Sequence, residues 1–97
     1  MIMVHDVFIC KPGNASKLAK LFKEIMSGNA EFVNIMTDMT GQFNKVIMVS
    51  QYENLTAYEL SWKKYMENAE EIKKMPEAMK GYHDMYQSGY REIYQVW

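Results

Sequence analysis

The stretch Ile2-Met3-Val4-His5-Asp6-Val7-Phe8-Ile9-Cys10 decides the fold. It mixes β-branched and aromatic residues with polar ones and ends at the turn-forming Lys11-Pro12-Gly13-Asn14, so it reads as a first strand. Side chains alternate across a strand, which sets Val4 and Phe8 on one face and Val7 and Ile9 on the other. Both faces of this strand are therefore apolar, and whatever sheet it joins must be covered on two sides.

Working outward, Leu18, Leu21, Phe22 and Ile25 recur at helical spacing, with Asn14 or Ser16 as the expected N-cap and Gly28-Asn29 as the expected left-handed stop. Lys17, Lys20 and Lys23 fall on the opposite, solvent side of that helix. Phe32 to Met39 and Phe43 to Glu53 read as two strands joined around Thr40-Gly41-Gln42. A long helical region follows, its stripe formed by Leu55, Tyr58, Trp62, Tyr65, Ala69 and Ile72. Pro76 interrupts it, and a further helical segment carries Met79, Tyr82, His83 and Tyr86 up to Gly89. Tyr90 to Trp97 is the last strand. The order β-α-β-β-α-β predicts an α+β, ferredoxin-like fold, a four-stranded antiparallel sheet with helices on one face. Residues 1–97 form one domain in this reading, since 97 residues leave no room for a second core.

The helices suffice for one sheet face only. Val46 and Met48 oppose Ile47 and Val49 as the first strand's residues oppose each other, so the second face is apolar too. About 1.5 to 3 kcal/mol is forfeited for each large apolar side chain left in water. A second copy of the sheet is the economical cover, which predicts a homodimer closed as an α+β barrel.

Composition excludes several classes of function. Lys+Arg number 11 against Asp+Glu 12, for a net charge of -1, a balance that gives no electrostatic footprint for nucleic acid or an anionic membrane, so neither is expected as a partner. Val46-Ile47-Met48-Val49 is far too short to span a bilayer. The N-terminal residues lack a basic, apolar leader, and the one cysteine, Cys10, has no partner for an internal disulfide, which together suggest the cytoplasm. Cys10 begins no redox motif and reads as a buried strand end. Ten methionines fill gaps or line an adaptable pocket.

The run Met3-Val4-His5-Asp6-Val7-Phe8-Ile9-Cys10-Lys11-Pro12-Gly13, followed by an amphipathic helix, resembles the opening of NIPSNAP-like dimeric α+β-barrel proteins. The hairpin Ile35 to Phe43, the helix entry Tyr52-Glu53-Asn54-Leu55 and the last strand Gly89-Tyr90-Arg91-Glu92-Ile93-Tyr94 agree with that pattern. The resemblance implies a dimeric barrel and, through related antibiotic biosynthesis and haem-degrading monooxygenases, a planar hydrophobic ligand between sheet and helices. Similar sequences tend to carry acids on the third strand where this chain has Val49 and Gln51. Any base those acids supply elsewhere is absent here.

Candidate site residues follow. His5 on the first strand, with Trp62, Tyr65, His83 and Tyr86 on the helical regions, could converge between sheet and helices as an aromatic-walled ligand site. There His5, His83 and Tyr86 would be the catalytic candidates, because a histidine near neutral pKa can take a proton from a phenolic or enolisable substrate. The plainer reading is that these rings fill the helix-sheet core. Asp6, Glu92 and Gln51 are expected on the face away from the helices, Arg91 on the other, with Asp6 and Glu92 close enough to share a proton or tie the dimer together. Asp38 reads as a turn or strand-end residue. No metal-ligand spacing occurs and no cofactor is expected, a haem ligand from His83 being the one conceivable case. Three functions compete: a binder of a small hydrophobic or aromatic metabolite, a cofactor-independent monooxygenase or isomerase, and a structural or assembly domain without a ligand.

Overall fold

The computed structural model describes residues 1–41, 43–67 and 84–97. The elements run β1 (Ile2–Cys10), α1 (Ala15–Met26), β2 (Phe32–Thr37), β3 (Lys45–Tyr52), α2 (Leu55–Glu67) and β4 (Tyr86–Gln95). One antiparallel sheet has the order β2-β3-β1-β4, the ferredoxin-like arrangement in which both β1 and β3 are central.

The turn after β1 follows from two residues. Asn14 N–H donates to the Lys11 carbonyl at 3.0 Å, closing a four-residue turn with Pro12 in second place and Gly13, at φ 82°, in third. Pro pre-sets the second position of a type II turn and Gly alone enters its third without strain. That turn delivers Asn14 as the N-cap residue of α1, although its side chain makes no cap hydrogen bond. Asn54 caps α2 more fully, its Oδ1 accepting from the Ala57 N–H at 2.8 Å.

Two expected uses of glycine are corrected. The residue after α1 is not left-handed at Gly28; the helix ends in ordinary helical geometry at Ser27, whose hydroxyl donates to the Glu24 carbonyl. Among the described residues of the β2–β3 connection the left-handed one is Asn44, at φ 64°, and Gly41 is not left-handed. Gly41 serves close approach instead: a Cβ there would sit 2.8 Å from Asp38 Oδ2. Asp38 gathers the connection, accepting from the Thr40 and Gly41 N–H groups at 2.9 and 2.7 Å and pairing with Lys45 at 3.3 Å. The turn role expected for Asp38 is what the geometry shows.

The largest boundary correction lies in β4. Tyr86, Gln87, Ser88 and Gly89 belong to the strand and not to a preceding helix. Ile9 pairs with Ser88 and Cys10 with Tyr86, so Gln87 is the extra residue of a bulge that turns Tyr86 onto the same face as Phe8 and Cys10. Gly89 faces Phe8 across the ladder, where an added Cβ would meet the Val7 carbonyl at 3.1 Å. The Phe8 and Tyr86 rings pack edge to face beside it, with centroids 5.1 Å apart.

Cys10, Leu18, Phe22 and Val46 form the buried cluster beneath α1, with Phe8, Ile35, Met48 and Tyr86 packed around it. Lys17, Lys20 and Lys23 are exposed, as the spacing predicts. Cys10 is the buried end of β1, and burial pushes its thiol above the ordinary value. Across the sheet, Met3, His5, Val7 and Ile9 of β1 share a face with Ile47 and Val49 of β3 and with Tyr90 and Tyr94 of β4. No described helix packs against that face, and Tyr90, Tyr94 and Met36 are exposed on it.

Candidate functional site

The face beneath α2 carries a charged pair where α1 covers only apolar and aromatic side chains. Asp6 lies two residues before Phe8 on the same side of β1, and the register sets it directly opposite Arg91 of β4. Arg91 Nε donates to Asp6 Oδ1. The guanidinium carbon sits 5.1 Å from the centre of the Trp62 ring and 5.7 Å from that of Tyr58. Tyr58 and Trp62 are one helical turn apart on α2, so both rings project to one side of it and meet nearly at right angles. Tyr52, at the end of β3, extends the row by packing on Tyr58 at 5.1 Å.

Charge and burial oppose each other here. Burial works against the Arg91 charge, but the hydrogen bond and charge of Asp6 outweigh it and hold the guanidinium above its ordinary value. Asp6 is largely enclosed, its side chain 14% exposed, whereas that of Arg91 is 42% exposed. Burial also pushes the Tyr58 phenol up, with the Trp62 indole and the Arg91 charge pulling the other way. The Tyr58 hydroxyl is a buried polar atom with no hydrogen-bond partner of good geometry among the described residues.

The Asp6–Arg91 pair can be dissected by a double-mutant cycle. Arg91→Met alone strands a mostly enclosed carboxylate and is expected to destabilise the fold by about 1–3 kcal/mol, below the buried-pair range because the arginine is partly solvated. Asp6→Leu with Arg91→Met should recover most of that loss in urea unfolding. A double-variant loss equal to the sum of the two single-variant losses would show that the pair contributes nothing. For Tyr58, absorbance titration should find its phenol ionising above the ordinary 10.0. The unfolded chain releases that proton first, so the stability associated with the neutral phenol is complete below 10.0 and falls as pH rises through the native value.

The structure separates the residues expected to converge. His5 lies on the opposite face from Asp6, across the ladder from Glu92 and edge-on to Tyr94 at 5.2 Å, so it does not meet Trp62. Tyr94 donates its hydroxyl to the Glu92 carboxylate, whose hydrogen bond pushes the Tyr94 phenol up. Tyr86 does face the helices, but within the α1 cluster on Phe8. Tyr65 belongs to α2 by its backbone, and His83, with the haem ligation considered for it, lies outside the described residues. Asp6 is corrected in the same way: it joins Arg91 on the helix face, leaving Glu92 and Gln51 on the open one. Sequence reasoning missed the Asp6–Arg91–Tyr58–Trp62 group, for which the Tyr58/Trp62 spacing was the available signal.

A separate groove of about 410 Å³ opens at the start of α2, lined by Met1, Ala30, Glu31, Gln51, Glu53 and Ala57, with Tyr52 as the wall nearest Tyr58. Among the described residues no three His, Cys, Asp or Glu side chains gather as a metal site, and no helix is long and apolar enough to cross a membrane.

No protein-family model matches the sequence, and no curated protein matches it significantly. Solved structures do. A NIPSNAP family protein with unknown function from Agrobacterium tumefaciens superposes with a TM-score of 0.75 at 15% identity, over 97% of this chain and 86% of that one. An uncharacterised NIPSNAP domain protein from Burkholderia xenovorans gives 0.72 at 12% identity, over 99% and 94%. The crystal structure of an antibiotic biosynthesis monooxygenase gives 0.64 at 11% identity, over 99% and 98%. With the same element order and sheet topology in hand, the chain has the α+β, ferredoxin-like fold that these NIPSNAP and antibiotic biosynthesis monooxygenase structures share.

Proposed function

We propose that this protein is a homodimer that binds a small hydrophobic or aromatic metabolite at the helix-covered face of its sheet, beside Trp62. The observation that carries the ligand reading is the Asp6–Arg91 pair held against Tyr58 and Trp62. A region serving only as core would be filled by apolar groups, because enclosing a charged pair gains little or no stability over well-packed hydrophobic residues. Trp62 is 42% exposed beside that pair, so part of its ring is open to a ligand.

The dimer reading rests on the open face. Met36, Tyr90 and Tyr94 are exposed there and Ile9 and Ile47 half-buried around the already buried Val7 and Val49, an apolar and aromatic surface that a second copy would cover. Of the catalytic candidates, His5 lies across the sheet from Trp62 and Tyr86 sits in the α1 cluster, so neither supports a monooxygenase or isomerase reaction beside Trp62; His83 lies outside the described residues.

Two indoles are present, and Trp97 is fully exposed, so Trp97→Phe leaves Trp62 as the sole reporter without touching the core. Titrating that variant with 1-naphthalenemethanol, a neutral planar probe, should give a saturable change in Trp62 emission. Strictly linear, unsaturable quenching up to the probe's solubility would remove the ligand reading.

A further inference from the structure

Resting on the ligand reading above, we propose that the molecule bound beside Trp62 is a planar carboxylate, its oxyanion received by Arg91 and the Tyr58 hydroxyl while its ring lies against the open part of Trp62. The argument starts from donors. A guanidinium carries five N–H groups, and Asp6 engages Arg91 through Nε only. The remaining donors, on the two Nη atoms, have no acceptor among the described residues. Beside them is the Tyr58 hydroxyl, buried, within reach of the Trp62 indole and without an acceptor for its own proton among the described residues. Buried polar groups in folded proteins are satisfied with few exceptions, and an unsatisfied one next to an under-used arginine is a pair of donors awaiting one acceptor.

The class of acceptor follows from shape and charge. The arginine fork matches a carboxylate in two parallel hydrogen bonds. Asp6 fixes the guanidinium from the sheet side and opposes part of its charge, so a singly charged group fits where a doubly charged phosphate would be repelled by the same carboxylate. The aromatic neighbours select flatness: Tyr52, Tyr58 and Trp62 form one row along the guanidinium. Glu31 and Glu53 line the groove beyond Tyr52, which disfavours an anion there and confines it to the Trp62 side.

The test compares three probes of one shape in the Trp97→Phe background: 1-naphthoate, 1-naphthalenemethanol and 1-naphthylmethylamine. Naphthoate should bind tightest, about tenfold or more above the neutral alcohol, as a charge-assisted hydrogen bond warrants. The ammonium probe should bind weakest. Tyr58→Phe keeps the ring and removes only the hydroxyl, so it should erase much of the naphthoate preference while leaving the free protein as stable as before or more so, a combination that a purely structural tyrosine would not give. Arg91→Lys retains the charge but not the fork and should also reduce the preference. Equal affinity for naphthoate and the alcohol would overturn the proposal and leave the ligand reading intact. A naphthoate preference that survives both substitutions would overturn it by placing the anion elsewhere. Absence of saturable binding by all three probes would overturn the ligand reading and this proposal together.

Discussion

Leu18→Ala should destabilise the fold by about 2.5–5 kcal/mol and lower the melting temperature by roughly 10 °C or more. Leu18 is fully buried in α1 and lies in one cluster with Cys10, Phe22 and Val46. Removing its branched end leaves a hole that the neighbours are poorly placed to fill. Phe22 is held by Phe8 at 5.1 Å, Phe8 by Tyr86 at the same distance, and the last two straddle Gly89, where the backbone is already close. A cluster fixed by ring-on-ring contacts relaxes little, and unrelaxed cavities are the expensive ones. Urea denaturation measures the loss directly. Lys20→Ala, on the exposed side of the same helix, is the control and should change stability by less than about 0.5 kcal/mol. A loss below about 1 kcal/mol for Leu18→Ala would mean that α1 does not pack as described.

Tyr90→Lys should convert the proposed dimer to a monomer while leaving the monomer's secondary structure intact. Tyr90 stands opposite Val7 at the centre of the open face and is 51% exposed in the single chain, so lysine there meets water in a monomer and no clash. In a face-to-face dimer the same ammonium would be enclosed, once from each copy, beside a Glu92 carboxylate that already accepts from Tyr94. Glu92 offsets only part of the desolvation of each ion, and twofold symmetry doubles the effect, so the dissociation constant should rise by more than about a hundredfold. Sedimentation equilibrium across a concentration series reads that change. An unaltered dimer would place the seam on another surface, and a wild-type chain that is monomeric at every concentration would end the dimer reading.

Much of the architecture was legible because it depends on local signals. The Pro12-Gly13 turn, the α1 stripe and the alternation in β1 and β3 each name their element without reference to the rest of the chain. What stayed illegible depends on register. Asp6 and His5 are neighbours, and alternation assigns them to opposite faces but cannot say which face receives the helices when both are apolar. The same ambiguity recurs in β4, where Arg91 and Glu92 are adjacent and a one-residue slip exchanges which of them meets Asp6. Choosing Glu92 for that partner gave an apparent pair of carboxylates; the observed register gives an ion pair on the other side of the sheet. Tyr86 was misread for a different reason. A four-residue prelude ending in glycine looks like a helix stop, and only the bulge opposite Ile9 and Cys10 shows that Gly89 is an interior strand residue. Gly28 and Gly41 carry the same lesson on a smaller scale, since glycine permits a left-handed backbone without requiring one, and Asn44 takes that role in the hairpin.

The position of β1 between β3 and β4 has a consequence for how the chain matures on the ribosome. β1 emerges before both its neighbours, and its pairing with β3 can form once β3 is out, but its other hydrogen-bonding edge waits for β4. Throughout that interval the most apolar strand of the protein presents an unpaired edge, the kind of template that recruits strands from other nascent chains. Arg91 arrives with β4, so the enclosed Asp6 carboxylate also stays unpaired until that strand is made. Translation that stalls between α2 and β4 would therefore release a three-stranded species with a sticky flank and a stranded charge, a natural client for holding chaperones.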